Sequence, residues 1–187
     1  RMYRLQNQIK LFGTTQKMLS DAGISPSKVN LKTLLPLMEG ASIEEDQSLM
    51  NKWAALLANA ATLKGASLVE PGFADVLKQL TPMQARIADL LYSQVNADRL
   101  KTPDHAVTSI ALGPIQKQLG LSYAEFQQCL DSLLRLQLCS VPNVRNLSEL
   151  RWRSVMGVSG GLRGVDPTFF GLAFYTACTP PGSQTAT

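Results

Sequence analysis

The chain has 187 residues, of which 45% are hydrophobic and 17% charged, and its formal net charge at pH 7 is +4. This length can bury one sizeable core or two small ones, and we expect two small lobes. No apolar run reaches the roughly 18 residues that cross a bilayer, and no signal peptide is visible, so we expect a soluble, cytoplasmic chain. Because it begins at Arg1 and not at methionine, we also expect an N-terminal portion to be missing.

Residues 1–20 have the pattern of an amphipathic helix that ends near Gly23. Its apolar residues at helical spacing are Leu5, Ile9, Phe12 and Leu19. It is also the one clearly basic surface, because the other charges of the chain cancel and the whole net charge comes from Arg1, Arg4, Lys10 and Lys17. This basic helix is either an ordinary solvated face or a surface that attracts anionic lipid or nucleic acid.

A short apolar helix over residues 31–39 precedes the most strongly patterned part of the chain. Ser42 and Glu45 have the S-x-x-E spacing of a capping box, which predicts a helix from about Ile43 to Ala61. Its predicted core face consists of Leu49, Trp53, Leu56, Leu57 and Ala60. The acidic run 44–46 is interpreted as stabilising the positive end of the helix dipole rather than as a metal site. A last short helix over 71–80 completes a helical lobe, residues 1–80.

From Thr81 the order of predicted elements is that of a winged helix. A helix from Pro82 to about Val95 is followed by a strand at 105–109, a brief helix at 115–119 ended by Gly120, and a second capped helix from Ser122. A strand at 139–141, a long excursion, and a return strand or closing helix at 169–178 complete this lobe. The predicted fold is therefore mainly α, with a helical lobe over 1–80, a winged-helix lobe with a small β-wing over 81–178, and a disordered tail over 179–187.

Three blocks of the sequence resemble the Abi-alpha family of bacterial abortive-infection proteins. The densest runs from Pro36 to Ala60 and contains Glu39-Gly-Ala-Ser-x-Glu-Glu-Asp and Trp53-Ala-x-Leu-Leu-Ala-Asn-Ala. The second runs from Pro71 to Pro82, and the third from Thr168 to Cys178. Glu70 and Pro167 stand where the family usually has His and Leu. The resemblance covers nearly the whole chain and implies a phage-defence factor, whose family relatives often carry an apolar segment ahead of this region.

The predicted winged helix raises the question of DNA binding, which its charges argue against. The helix that would enter a groove, residues 122–137, contains Glu125, Asp131 and Arg135 as its only charged residues and is net acidic. The excursion after it has more cations, grouped around Trp152: Arg145, Arg151, Arg153 and Arg163. These side chains suit phosphates or a partner's carboxylates, and we favour protein contact or self-association over nucleic acid.

No catalytic constellation is visible, so we predict neither an enzyme nor a cofactor. The chain has one histidine, His105, and no G-x-x-x-x-G-K segment; the glycines at 157–161 are interpreted as a wing tip. Cys129, Cys139 and Cys178 form no C-x-x-C pair and fit a reducing cytoplasm, where they serve as core or strand residues. Too few ligands remain for zinc, and no metal site is predicted.

We therefore expect a non-enzymatic binding, sensing or assembly module of anti-phage defence. A protein partner or self-association is expected, and membrane association through the missing N-terminal segment stays open. The alternative is a winged-helix DNA-binding transcriptional regulator, which steeply salt-dependent binding to duplex DNA would reveal.

Overall fold

The computed structural model describes residues 2–63, 69–101, 109–142, 162 and 164–182, with the backbone alone for 97–101. Within these residues the protein is mainly helical, with a small three-stranded antiparallel sheet. The chain forms two compact units. The first contains Arg1–Pro82 and Ala173–Thr187, and the second contains Met83–Leu172. The lobes predicted from the sequence were continuous segments, 1–80 and 81–178. That division did not include the return of the chain to the first unit after Leu172.

The first unit is built around one long buried helix. Its helices are α1 (Met2–Asp21), α2 (Leu31–Ser42), α3 (Gln47–Ala60) and α4 (Gly72–Gln79). Helix α3 is the centre of the core, because it contacts α1, α2 and α4 and buries the five apolar residues assigned to its core face, Leu49, Trp53, Leu56, Leu57 and Ala60. The alanines between them are buried as well, which lets neighbouring helices approach α3 closely.

Helix α1 packs through a different face from the one its apolar pattern indicates. The buried residues are Asn7, Leu11, Thr15 and Leu19, one on each successive turn. The two polar side chains tolerate burial because they find backbone acceptors: Asn7 Nδ2 donates to Ser42 O at 3.2 Å and to Glu44 O at 2.8 Å, and Thr15 Oγ1 donates to Ala54 O at 3.3 Å. Leu5, Ile9 and Phe12 consequently face outward.

The predicted capping box at Ser42 and Glu45 is wrong. Ser42 is the last residue of α2, and its hydroxyl donates to Glu39 O at 2.7 Å. Helix α3 begins four residues later than expected, at Gln47, because Asp46 is the N-cap and accepts from the Ser48 and Leu49 amides. The interpretation of the acidic run as helix-terminus stabilisation therefore holds at Asp46, one helical turn after Ser42.

Hydrogen bonds and an aromatic contact join the C-terminal segment to the rest of the first unit. Asn59 Nδ2, on α3, donates to the carbonyl oxygens of Ala177 and Thr179 at 2.8 Å each. Phe174 meets Phe73 edge to face, with ring centroids 5.6 Å apart. Of the tail predicted to be disordered, residues 179–182 are described, with Pro181 buried, while 183–187 lie outside the described residues.

The second unit alternates helices with short strands. In chain order it has α5 (Pro82–Lys101), β1 (Ile110–Ala111), α6 (Leu112–Leu119), α7 (Tyr123–Arg135), β2 (Cys139–Ser140), β3 (Gly164–Pro167) and the start of α8 (Phe169–Ala177). The strand order is β1-β3-β2 and both pairs are antiparallel, with Ile110 opposite Val165 and Cys139 opposite Pro167. Of the two alternatives given for residues 169–178, the closing helix is the one observed, as α8, and the return strand β3 lies before that range, at Gly164–Pro167.

The local signals in this unit were read correctly around α6 and α7. Gly120 ends α6 in the left-handed conformation, at φ 64°. The capping box at Ser122 and Glu125 is confirmed, with both reciprocal hydrogen bonds present. The strand predicted at 105–109 lies largely outside the described residues, and the described strand β1 begins at Ile110.

A buried tyrosine organises the end of the sheet. Tyr92 Oη, on α5, donates to Leu138 O at 2.5 Å and accepts from the Thr168 amide at 3.3 Å. Thr168 Oγ1 in turn donates to Gln137 O and accepts from the Gly171 amide, so it caps α8. A Cβ at Gly171 would overlap Tyr92 Oη and Leu138 O, which explains glycine inside this helix.

Candidate binding surface

The described part of the structure does not include the arginine cluster proposed from the sequence. Trp152 and the four arginines around it, Arg145, Arg151, Arg153 and Arg163, lie outside the described residues. Arg1 and His105 do as well. The role of the wing cations in a partner contact therefore stays a prediction.

The surface of α7 has the acidic character that the sequence indicated. Glu125, Asp131 and Arg135 are all exposed. The Ser122 hydroxyl and amide donate to the Glu125 carboxylate and lower its pKa, which keeps it ionised. Gln127 of the same helix is half-buried, and its side chain donates to Leu162 O at 3.4 Å. A phosphate backbone approaching α7 would meet two carboxylates against one guanidinium.

The acidic run at 44–46 forms a network of local hydrogen bonds. Glu44 Oε1 accepts from the amides of Glu45 and Asp46, and Glu44 Oε2 accepts from Trp53 Nε1 at 3.2 Å. Its carbonyl oxygen accepts from Asn7 of α1. With Glu44 and Asp46 both engaged in this way, the run supplies local hydrogen bonds, and across the described part of the chain no group of three His, Cys, Asp or Glu side chains could hold a metal ion.

An open apolar groove of about 740 Å³ lies in the first unit. Its floor consists of buried side chains of α1 and α3, Leu19, Leu57 and Ala61. The segment between α1 and α2 forms one wall and contributes Ile24 and Val29. The hydroxyls of Ser20 and Ser25 lie among the lining residues, and of the described residues that line the groove Lys28 alone is charged. Mainly apolar walls with a few polar groups are typical of ligand and peptide sites of this size.

The residues of this groove could not have been recognised from the sequence as one site. Six of its fourteen lining residues come from the loop 24–29, which has no helical or strand period, and they join α1 and α3 only in the folded chain. Phe12 was singled out as part of the α1 pattern, and it lines the groove with 46% of its surface exposed. Leu19 of the same pattern and Leu57 of the predicted core face of α3 also line the groove, but nothing in the sequence indicated that these three side chains meet.

The basic helix has three described cations, all of them solvent-exposed. These are Arg4, Lys10 and Lys17 on α1. Five large hydrophobic side chains of the same helix are also exposed: Met2, Tyr3, Leu5, Ile9 and Phe12. Among the described helices, none combines the length and the apolar content needed to cross a bilayer. The exposed side of α1 therefore presents both apolar and basic side chains.

The cysteines show no arrangement for chemistry. Cys139 and Cys178 are buried and Cys129 is half-buried, and all three are free thiols, consistent with core and strand positions. Burial raises the pKa of Cys139 to about 12, and burial together with the charge of Glu125 raises the pKa of Cys129. Since the thiolate is the nucleophile, these shifts disfavour catalysis at either residue.

One comparison with known proteins identifies a family. The model of the family described as Abortive infection alpha matches residues 6–178. Neither a curated protein nor a solved structure matches the chain. The match spans both units and contains all three sequence blocks that carried the resemblance.

Proposed function

This chain belongs to the Abortive infection alpha family, and from that premise we propose that it serves phage defence as a non-enzymatic binding or assembly module. The family suggests the defence role. The binding mode is supported mainly by the groove of the first unit, which has an apolar floor, hydroxyls at its edge and one cation, Lys28. A phage-derived or host segment that offers apolar side chains and a carboxylate would match this lining.

The groove also lies next to the parts of the family block that build the core. Leu57 and Ala61 at its floor belong to, or directly follow, α3, whose N-terminus is held by the hydrogen bonds of Glu44 and Asp46. Those hydrogen bonds fix where α3 begins. The densest block of the family resemblance thus supports the helix on which the groove is built.

We assign the second unit to the winged-helix class. Two features support this assignment. Its element order is helix, strand, two helices and two strands, and its strand order β1-β3-β2 places the last strand in the middle, as a wing that returns between its neighbours requires. In our proposal this unit contacts protein rather than DNA, because the exposed charges of α7 are net acidic.

The defence role is tested by expressing the gene in a susceptible bacterium and measuring plaque numbers and culture growth at low and high phage dose. We expect fewer plaques, together with growth arrest of the infected cells. Unchanged plaquing across a broad phage panel would contradict the defence role.

The groove is tested in the same assay with Ser25→Trp, which places a large side chain at its edge from an exposed loop position. Asn51→Trp, also exposed but on α3 and not lining the groove, is the matched control. Protection lost with Ser25→Trp and kept with Asn51→Trp supports the groove as the binding site. If both variants keep protection, the groove is not the binding site.

The alternative function, a DNA-binding regulator, is tested by titrating duplex DNA at two salt concentrations. Our proposal expects weak binding at physiological salt. Tight, sequence-selective binding with a steep salt dependence would contradict the proposed protein contact. It would instead support a DNA-binding regulator.

A further inference from the structure

The outward face of α1 carries an apolar stripe that nothing in the described chain covers. Met2, Leu5, Ile9 and Phe12 are 77%, 56%, 64% and 46% exposed. Their spacing of three and four residues places them in one line along the helix. The buried line of Asn7, Leu11, Thr15 and Leu19 runs along the other side, so α1 has two faces, one packed and one apolar but exposed. Contiguous exposed apolar surface of this kind marks an interaction site.

Cations accompany this stripe, and acidic side chains do not. Arg4, Lys10 and Lys17 are exposed on α1, whereas its one acidic residue, Asp21, is the last of the helix. At about 100° per residue, Lys10 and Lys17 lie roughly a quarter turn or more round the helix from Ile9. From that flank, long lysine stems can extend past an apolar stripe while their ammonium groups stay in a polar layer.

We propose that α1 docks through this face on the surface of an anionic lipid bilayer. The apolar stripe enters the boundary between headgroups and acyl chains, and Lys10 and Lys17 on its flank meet the lipid phosphates. The helix lies in the plane of the interface, with its packed face still on α3. This contact uses the helix itself and needs no further segment of the chain.

Charge decides between the bilayer and the other occupants of such a face. Two copies of α1 paired through their stripes would bring Lys10 and Lys17 of each copy close together, which is repulsive. A nucleic acid would satisfy the cations but leave the four apolar side chains in water. An anionic bilayer provides both an apolar layer and a negative surface.

The test is sedimentation of the whole chain with vesicles of phosphatidylcholine, either pure or containing about 30% phosphatidylglycerol. We expect binding to the anionic vesicles that weakens with added salt, and little binding to the neutral ones. The double changes Ile9→Gln/Phe12→Gln and Lys10→Glu/Lys17→Glu should each reduce the bound fraction about tenfold at limiting lipid.

Matched controls come from α2, where Leu35 is 54% exposed and Lys32 is an exposed cation. Leu35→Gln and Lys32→Glu should leave vesicle binding unchanged. Circular dichroism melting establishes that every variant is folded. All the changed side chains are exposed, so folding should survive.

Absence of binding to anionic vesicles, or an equal loss in the α2 controls, would overturn the proposal. Sedimentation equilibrium that shows a dimer lost in Ile9→Gln/Phe12→Gln, without vesicle binding, would assign the stripe to a second copy and overturn it as well. Because the assay contains no phage, its failure is separable from failure of the proposed defence role.

Discussion

Trp53 Nε1 donates a hydrogen bond to Glu44 Oε2 at 3.2 Å, which joins the middle of α3 to the turn that precedes it. The indole is 1% exposed, and its far edge faces Gly40 of α2 so closely that a Cβ there would overlap the ring. Glu44 also holds the first amides before α3 and, through its carbonyl oxygen, Asn7 of α1. Three helices therefore depend on the position of one aromatic ring.

Trp53→Ala should lower the free energy of unfolding by about 3–5 kcal/mol, because it leaves a large cavity in the core. Urea denaturation followed by circular dichroism measures this change. Glu44→Gln keeps the shape and an acceptor oxygen and should cost clearly less. A Trp53→Ala variant as stable as the parent would contradict the central position of this ring.

Gly40→Ala should destabilise the protein, although alanine is normally the better helix residue by about 1 kcal/mol. The overlap of the new methyl group with the Trp53 indole outweighs that preference, at a cost of about 1–3 kcal/mol. Gly13→Ala is the control: it is also inside a helix, but a Cβ there meets nothing within 4 Å, so it should stabilise the protein. Thermal melts of both variants should shift in opposite directions.

Stability should decrease in acid partly because of Asp46. Hydrogen bonds from the Ser48 side chain and from the Leu49 amide lower the pKa of its carboxyl below the ordinary 3.8. A group whose pKa is lower in the folded state stabilises the fold fully above its unfolded pKa, and this contribution is lost as the pH falls through the folded value. Asp46→Asn retains a capping oxygen but cannot titrate. Its urea midpoint should therefore decrease less than the parent's between pH 6 and pH 3.

Two of the three thiols, Cys139 and Cys129, should react with iodoacetamide at different rates in the folded protein. At pH 8 we expect no labelling of Cys139, since burial and a pKa of about 12 leave almost no accessible thiolate, and slow labelling of half-buried Cys129. Mass spectrometry after brief labelling, with and without urea, gives the comparison. If Cys139 is labelled as fast in the folded protein as in urea, strand β2 does not bury this side chain.

Predictions from the sequence succeeded where a signal was local and failed where a distant partner decided the outcome. The capping box at Ser122 needs only Glu125, three residues away, and it was identified correctly. Ser42 and Glu45 have the same spacing, but Asp46 supplies the cap and Glu44 binds Trp53, so α3 begins later. No local pattern distinguishes these two cases.

The same limit applies to the candidate site. The apolar pattern of α1 was recognised, but its inward face is set by Asn7 and Thr15, which find carbonyl acceptors 35 to 39 residues away along the chain. Burial of two polar side chains could not be anticipated without those acceptors. The exposed stripe and the groove both follow from this orientation of α1.

The return of the chain to the first unit at Ala173 has a consequence for synthesis. The first unit is discontinuous, and Phe174 and the carbonyl groups that bind Asn59 are translated after the whole of the second unit. On the ribosome the second unit can therefore be completed first, before the C-terminal residues that contact α3 have been synthesised. The order of folding would then reverse the usual N-terminal-first order of domains.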